Sequence, residues 1–147
     1  MSNLPASTEV LVIGGGIVGC SIAYHLTKLG IKDVVLLEQN QLTAGTTWHA
    51  AGLVGQLRAT ANLTHLARYT TELFAGLEVE TGQATGYRRT GSLSLALNTE
   101  RLEELNRQAS TARAFGIDVE QISAADVASH WPDVNIEDVC GAVYLPG

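Results

Sequence analysis

The sequence predicts an α/β fold that opens on one parallel βαβ unit and passes into the beginning of a second region of α+β character. Three observations predict it. Two short apolar runs, Glu9 to Ile13 and Lys32 to Glu38, bracket a stretch of helical periodicity from Gly16 to Leu29, the size of a βαβ unit of about 30 residues. Beyond Glu38 the regular alternation of strand and helix loosens. Finally, Ser92 to Leu97 alternates polar and apolar residues at period two, which marks an antiparallel strand with one open face.

Taken in order, Glu9-Val10-Leu11-Val12-Ile13 is a continuous apolar run rich in β-branched residues, as expected of a strand buried on both faces of a parallel sheet. It ends at glycine. From Gly16 onward Ile17, Cys20, Ile22, Ala23, Leu26 and Leu29 recur at helical spacing, and Gly30 supplies the stop. Lys32 to Glu38 reads as the second buried strand. Leu63, Leu66, Leu73, Phe74 and Leu77 mark an amphipathic helix ended near Gly82. After the strand at Ser92 to Leu97, a second amphipathic helix places Leu102, Leu105, Ala109, Ala112 and Phe115 on one side and stops at Gly116. Ile117 to Ile122 suits a short strand, and Ser123-Ala124-Ala125-Asp126 has the spacing of a capping box for a short helix ending before Pro132. The final GAVYLPG, residues 141–147, is a strand-type run meeting a Pro-Gly turn signal. This reads as an incomplete domain: 1–85 as the N-terminal part of a nucleotide-binding domain, 86–147 as the start of a substrate or cap-type region, with the remainder of a longer protein after 147.

Composition narrows the function. The chain of 147 residues is 46% hydrophobic and 16% charged, typical of a globular domain, and its formal net charge is −6 with Lys and Arg scattered singly. That pattern offers no basic stripe to nucleic acid and no polybasic anchor to a membrane. The first apolar run is too short to span a bilayer and follows no basic leader, so neither a signal peptide nor a transmembrane helix is expected. Cys20 and Cys140 lie far apart, without CxxC or Cys/His spacing, and read as buried small residues in a reducing compartment rather than as a metal site or disulfide. His25, His65 and His130 fall on predicted helices without ligand spacing and read as structural. Arg88 and Arg89 read as a solvated pair before a strand, with contact to an acidic substrate as the alternative, and Glu103 with Arg107 as an i,i+4 pair.

The candidate chemistry lies in the first third. Gly14-x-Gly16-x-x-Gly19 follows a predicted strand and opens a predicted helix, and Glu38 lies 19 residues beyond Gly19 at the tip of the next strand. Together these four parts make a Rossmann-type dinucleotide fingerprint. Gly14 permits the tight turn, Gly16 lets a pyrophosphate approach the backbone, and Gly19 lets the helix pack on the strands. Ile17 and Val18 sit at the helix N-terminus, whose free N–H groups and dipole favour phosphate. Glu38 suits the hydroxyls of an adenosine ribose and would repel a 2′-phosphate. The fingerprint does not choose between NAD and FAD.

The next stretch runs Gln39 to Thr43 and then AGTTWHAAGL, residues 44–53, in which Trp48 and His49 stand among small side chains. A loop so cleared suits a large ligand lying against it. Thr46 and Thr47 have the chemistry of helix N-caps, and a helix starting there would aim its N–H groups at the same phosphates.

Residues 8–58, TEVLVIGGGIVGCSIAYHLTKLGIKDVVLLEQNQLTAGTTWHAAGLVGQLR, resemble the N-terminal flavin domain of the dimethylglycine and sarcosine dehydrogenase family, within the wider D-amino-acid-oxidase-like flavoproteins. GYRRTGSLSLALN (86–98) and GAVYLPG are similar to the same family, and TWHAAGL is its specific motif. The resemblance implies an FAD-dependent oxidoreductase of N-methyl amines, with a hydride equivalent passing to the flavin and the resulting iminium hydrolysed or handed to tetrahydrofolate on a domain outside these residues. It implies FAD as cofactor, bonded through His49, with Gln39, Thr43, Ala44, Ala50, Gly52 and Leu53 beside Thr46 and Thr47 in its site. A neutral imidazole is a competent nucleophile for such a bond. Without the resemblance, His49 reads first as a satisfied polar residue of a tight loop. No catalytic acid or base and no metal ligand is assigned, and the electron acceptor is left open. The same motif also resembles the regulatory subunit of pyruvate dehydrogenase phosphatase, a non-catalytic partner-binding protein of flavoprotein-like fold. An NAD enzyme with a free His49 is the third reading. The expected location is the cytoplasm, or the mitochondrial matrix in a eukaryote.

Overall fold

The computed structural model describes residues 4–147. They divide into two compact units, one running to Leu53 and the other from Val54 to Gly147.

In the first unit, β1 (Val10–Ile13), α1 (Ile17–Lys28) and β2 (Val34–Leu37) form the expected βαβ, with the strands parallel and registered from Val10 opposite Val34 to Ile13 opposite Leu37. The strand ends are set by a side chain. Asp33 accepts from the Glu9 N–H at 3.0 Å and from the Thr8 hydroxyl at 3.1 Å, clamping the start of β1 beside the start of β2. Helix α1 closes on left-handed Gly30, whose N–H reaches Thr27 O at 3.0 Å while Ile31 N–H reaches Leu26 O at 3.1 Å. That pair of bonds is the Schellman arrangement, which satisfies carbonyls that the last turn would otherwise leave open.

One expectation needs correcting here: β1 is not buried on both faces. Val12 is 8% exposed but Ile13 is 82% exposed. A parallel strand loses both faces to solvent exclusion only when helices cover both sides, and among the described residues of this unit only α1 packs on the pair.

The second unit is a three-stranded antiparallel sheet in the order β3 (Ser92–Ala96), β5 (Gly141–Leu145), β4 (Glu120–Ile122). Helix α3 (Thr99–Ala114) packs on β3 and β5, and its Leu105, Ala109 and Ala112 join Ala96, Ile117, Val119 and Val143 in the core. Asn98 caps it through Arg101 N–H at 2.8 Å. Helix α4 (Ala124–His130) starts at the expected capping box, with Ser123 and Asp126 each bonding the other's backbone N–H. Trp131 and His130 at its end pack on Tyr144 of β5.

Helix α2 (Ala61–Thr81) is capped by Thr60 and ends at left-handed Gly82, the stop its sequence indicates, but its buried face is not the one expected. The leucines expected inward do not lead: Leu66 is 61% exposed, whereas Thr64, Ala67 and Thr71 are buried. Threonine tolerates this because its hydroxyl is satisfied. Thr64 accepts from Arg58 N–H at 3.1 Å and donates to Arg58 O at 3.2 Å, and Thr71 donates to Arg68 O at 2.8 Å. The cysteines also depart from expectation, since Cys140 is exposed and Cys20 half-buried; both are free thiols. Among the described residues no helix is long and apolar enough to cross a membrane.

Candidate functional site

The glycine turn that joins β1 to α1 is shaped by steric limits that each glycine meets differently. Gly14 has φ of +103°, a conformation open to glycine. A Cβ at Gly19 would lie 1.9 Å from Gly14 O, so only glycine lets α1 approach the turn this closely. At Gly16 the nearest obstacle to a Cβ is Thr47 Oγ1, at 3.1 Å. Gly15 was not singled out by the fingerprint, yet a Cβ there would meet Leu42 Cδ2 at 2.5 Å. The only local signal for it is its place inside the Gly-Gly-Gly run.

Glu38, one residue past β2, does more than wait for a ribose. Its carboxylate accepts from Gly15 N–H at 2.7 Å and from Asn40 N–H at 3.0 Å. These backbone donors, Asn40 foremost and then Gly15, hold its pKa below the ordinary glutamate value against a desolvation effect of opposite sign. The acid therefore braces the glycine turn, and its remaining lone pairs are what a ligand hydroxyl can use.

The loop after Glu38 folds back onto the same turn. Thr43 adopts φ of +68°, rare for a non-glycine residue, and its N–H donates to Gly15 O at 2.9 Å. Residues Thr46–His49 form a single 3-10 turn. The expected helix start is thus only one turn long, and its N-cap is Gly45 rather than a threonine. Thr47 caps a different helix: its Oγ1 accepts from Ile17 N–H, the first amide of α1, at 2.9 Å. Helix α1 has no side-chain cap from its own N-cap residue, Gly16.

Between these parts lies a cleft of about 630 Å³, within the range of small-molecule and cofactor sites. Of the residues predicted for the site, Gly14, Gly16, Ile17, Val18 and Gly19 line it from the turn and α1. Glu38, Gln39, Ala44, Thr46, Thr47 and Ala50 line it from the other side. Thr43, His49, Gly52 and Leu53 do not line it; Thr43 is bonded to the glycine turn, His49 stands exposed between the lining residues Thr47 and Ala50, and Gly52 and Leu53 lie further along the loop. Ile13 and Ile22, which periodicity assigned to strand and helix interior, also line the cleft and give it an apolar wall. Trp48 stands 79% exposed.

His49 is exposed, with Nδ1 3.2 Å from Gly45 O. A carbonyl only accepts, so Nδ1 is the donor in this contact, and the tautomer with its proton there is the one that leaves a lone pair on Nε2. The arrangement as a whole suits a dinucleotide cofactor: a turn in which side chains are excluded, a helix N-terminus facing a cleft, and an acid at the far side. Among the described residues no cluster of His, Cys, Asp and Glu suits a metal ion. In the second unit a smaller cavity of about 160 Å³ is lined by Arg68, Arg89, Glu72 and Asp118, with Arg68 tied to Glu72 at 3.3 Å.

Comparison with known proteins bears on this cleft. The profile of the DAO family, described as FAD dependent oxidoreductase, matches residues 9–147. Mitochondrial sarcosine dehydrogenase of Mus musculus is 44% identical over 97% of this chain. The mitochondrial pyruvate dehydrogenase phosphatase regulatory subunit of the same species is 46% identical, again over 97%. This chain spans 16% of the length of each. The solved L-proline dehydrogenase from P. horikoshii superposes on 97% of the chain with a TM-score of 0.88 at 27% identity, and the chain covers 37% of it.

Proposed function

We propose that this chain, which belongs to the DAO family of FAD dependent oxidoreductases, carries the dinucleotide-binding part of the flavin site of an amine oxidoreductase. Its substrate class is an N-methylated amine of the dimethylglycine or sarcosine type. The observation that carries the reading is the Thr46–His49 turn seated against the glycine turn and α1, because Thr47 and Ala50 of the TWHAAGL motif thereby line the nucleotide cleft. The 44% identity to a sarcosine dehydrogenase supports the substrate class.

Bound there, FAD supplies an acceptor for a hydride equivalent from the amine's N-methyl carbon. The residues of the chain bind and orient. Gly16, Val18 and Gly19 offer backbone to the pyrophosphate, Ile17 lines the same turn with its N–H already given to Thr47, and Glu38 offers its free lone pairs to the ribose. Gln39, Thr43, Ala44, Thr46 and Thr47 shape the loop beside them. His49 presents Nε2 as the nucleophile for a covalent link, and the flanking Ala50, Ala51 and Gly52 leave room for a flat ring to approach the backbone. We keep 1–85 as part of the flavin domain and 86–147 as the start of the substrate region, with transfer to tetrahydrofolate assigned to residues outside this chain. The location we propose is the cytoplasm, or the mitochondrial matrix in a eukaryote.

Acid precipitation of the full-length protein tests this, with flavin fluorescence read in the pellet and mass spectrometry of the peptide holding His49. Flavin mass on His49 is the expected result. A yellow supernatant with unmodified His49 would remove the tether and keep FAD, and a colourless protein would overturn the flavoenzyme reading. A non-catalytic regulator is the second reading, favoured by the 46% identity to the phosphatase regulatory subunit. Anaerobic addition of sarcosine or dimethylglycine separates the two: bleaching of the flavin supports the enzyme, whereas an unreduced flavin together with binding to a phosphatase subunit supports the regulator.

A further inference from the structure

We propose that Thr47 is a positioning residue, whose hydroxyl caps α1 from across the loop and thereby holds the turn carrying His49 at the phosphate end of the cleft. Helix N-termini carry amides without intrahelical partners, and a Ser, Thr, Asp or Asn at the N-cap normally satisfies one of them. Here the N-cap is Gly16, which has no side chain to offer. The cap comes instead from Thr47, 30 positions after Ile17 and 2.9 Å from its N–H.

The neighbouring geometry is built around this contact. A Cβ at Gly16 would stand 3.1 Å from Thr47 Oγ1, so the glycine clears space for the threonine as well as for a ligand. The same loop is fastened to the glycine turn at two other points, by Glu38 on Gly15 N–H at 2.7 Å and by Thr43 N–H on Gly15 O at 2.9 Å. Thr47 is the last fastening before the exposed Trp48 and His49. The turn is short enough for the restraint to carry through it, since Ala50 N–H already bonds Thr47 O at 3.2 Å. Thr47 thus takes one α1 amide for the protein and leaves the following ones for a phosphate.

The inference rests on the flavin reading for its consequence but not for its geometry, and the test keeps the two apart. Thr47→Val keeps the shape and removes the acceptor, and Thr47→Ser keeps the acceptor. The full chain, expressed in a flavin-starved host, is followed by hydrogen exchange at the Ile17 amide, and FAD binding is then titrated by fluorescence. In Thr47→Val, loss of a cap worth about 1 kcal/mol is expected to speed Ile17 exchange by about five-fold and to raise the FAD Kd by a similar factor. Thr47→Ser is expected to restore both. Wild-type exchange at Ile17 in Thr47→Val, before any flavin is added, overturns the proposal whatever happens to FAD affinity. Should Thr47→Val fail to fold, the wild-type protein carries the same test, because an Ile17 amide exchanging at the unprotected rate also overturns it. A protein binding no FAD in any variant would instead sink the flavin reading and leave the exchange result readable.

Discussion

Glu38 joins two tasks that a sequence motif presents as one. Its place 19 residues past Gly19 was legible because the βαβ unit has a nearly fixed length. Its bonds to Gly15 and Asn40 were not legible, since no periodicity reports where a carboxylate turns after the strand ends. Because folding lowers this pKa, the ionised form is the one the fold favours. The stabilisation is therefore full above the ordinary glutamate value of about 4.5 and is lost as pH falls through the lower folded value. Glu38→Gln is expected to lower the thermal midpoint at neutral pH, with the difference from wild type shrinking as pH drops below that range. A difference independent of pH would remove the carboxylate's charge from the account. Thr47 was legible as a capping residue by its chemistry, but its partner was not, because the helix it caps lies far back in the chain.

Among the elements, helix α3 shows when pattern suffices. Its apolar residues fall on the face that meets the sheet, so period and core coincide at Leu105, Ala109 and Ala112. In α2 they do not coincide. The buried row is Thr64, Ala67 and Thr71, and a hydrophobicity pattern passes over a threonine whose hydroxyl is satisfied internally. Thr64→Val is nearly isosteric, yet it strands the Arg58 N–H that Thr64 accepts from. We expect a loss of about 1–3 kcal/mol in urea unfolding, against the gain that hydrophobicity alone would forecast. For α1 the controlling contact is Gly19 on Gly14 O. Gly19→Ala must displace the helix from the turn, and we expect a loss of about 2–4 kcal/mol together with weakened FAD binding.

For the whole molecule, the two units differ in how much apolar surface they keep. Leu11, Ile13, Ile17, Val18 and Leu29 of the first unit are all exposed, whereas the second unit closes a core of its own. Strand runs as apolar as these led to an expectation of two covered faces, and what covers a face is not written in the run itself. Prepared as these 147 residues alone, the protein is expected to bind the dye ANS strongly and to be salted out readily, and weak dye binding in the monomer would contradict this. The strand order of the second unit has a temporal consequence. Its central strand, β5, is the last to be made, so β3 leaves the ribosome with no hydrogen-bonding neighbour until about 45 further residues follow, a delay of several seconds at about 5–20 residues per second. During that interval the edges of β3 stay unpaired while α3 alone packs on it, and Gly141–Leu145 supplies its strand partner on emerging.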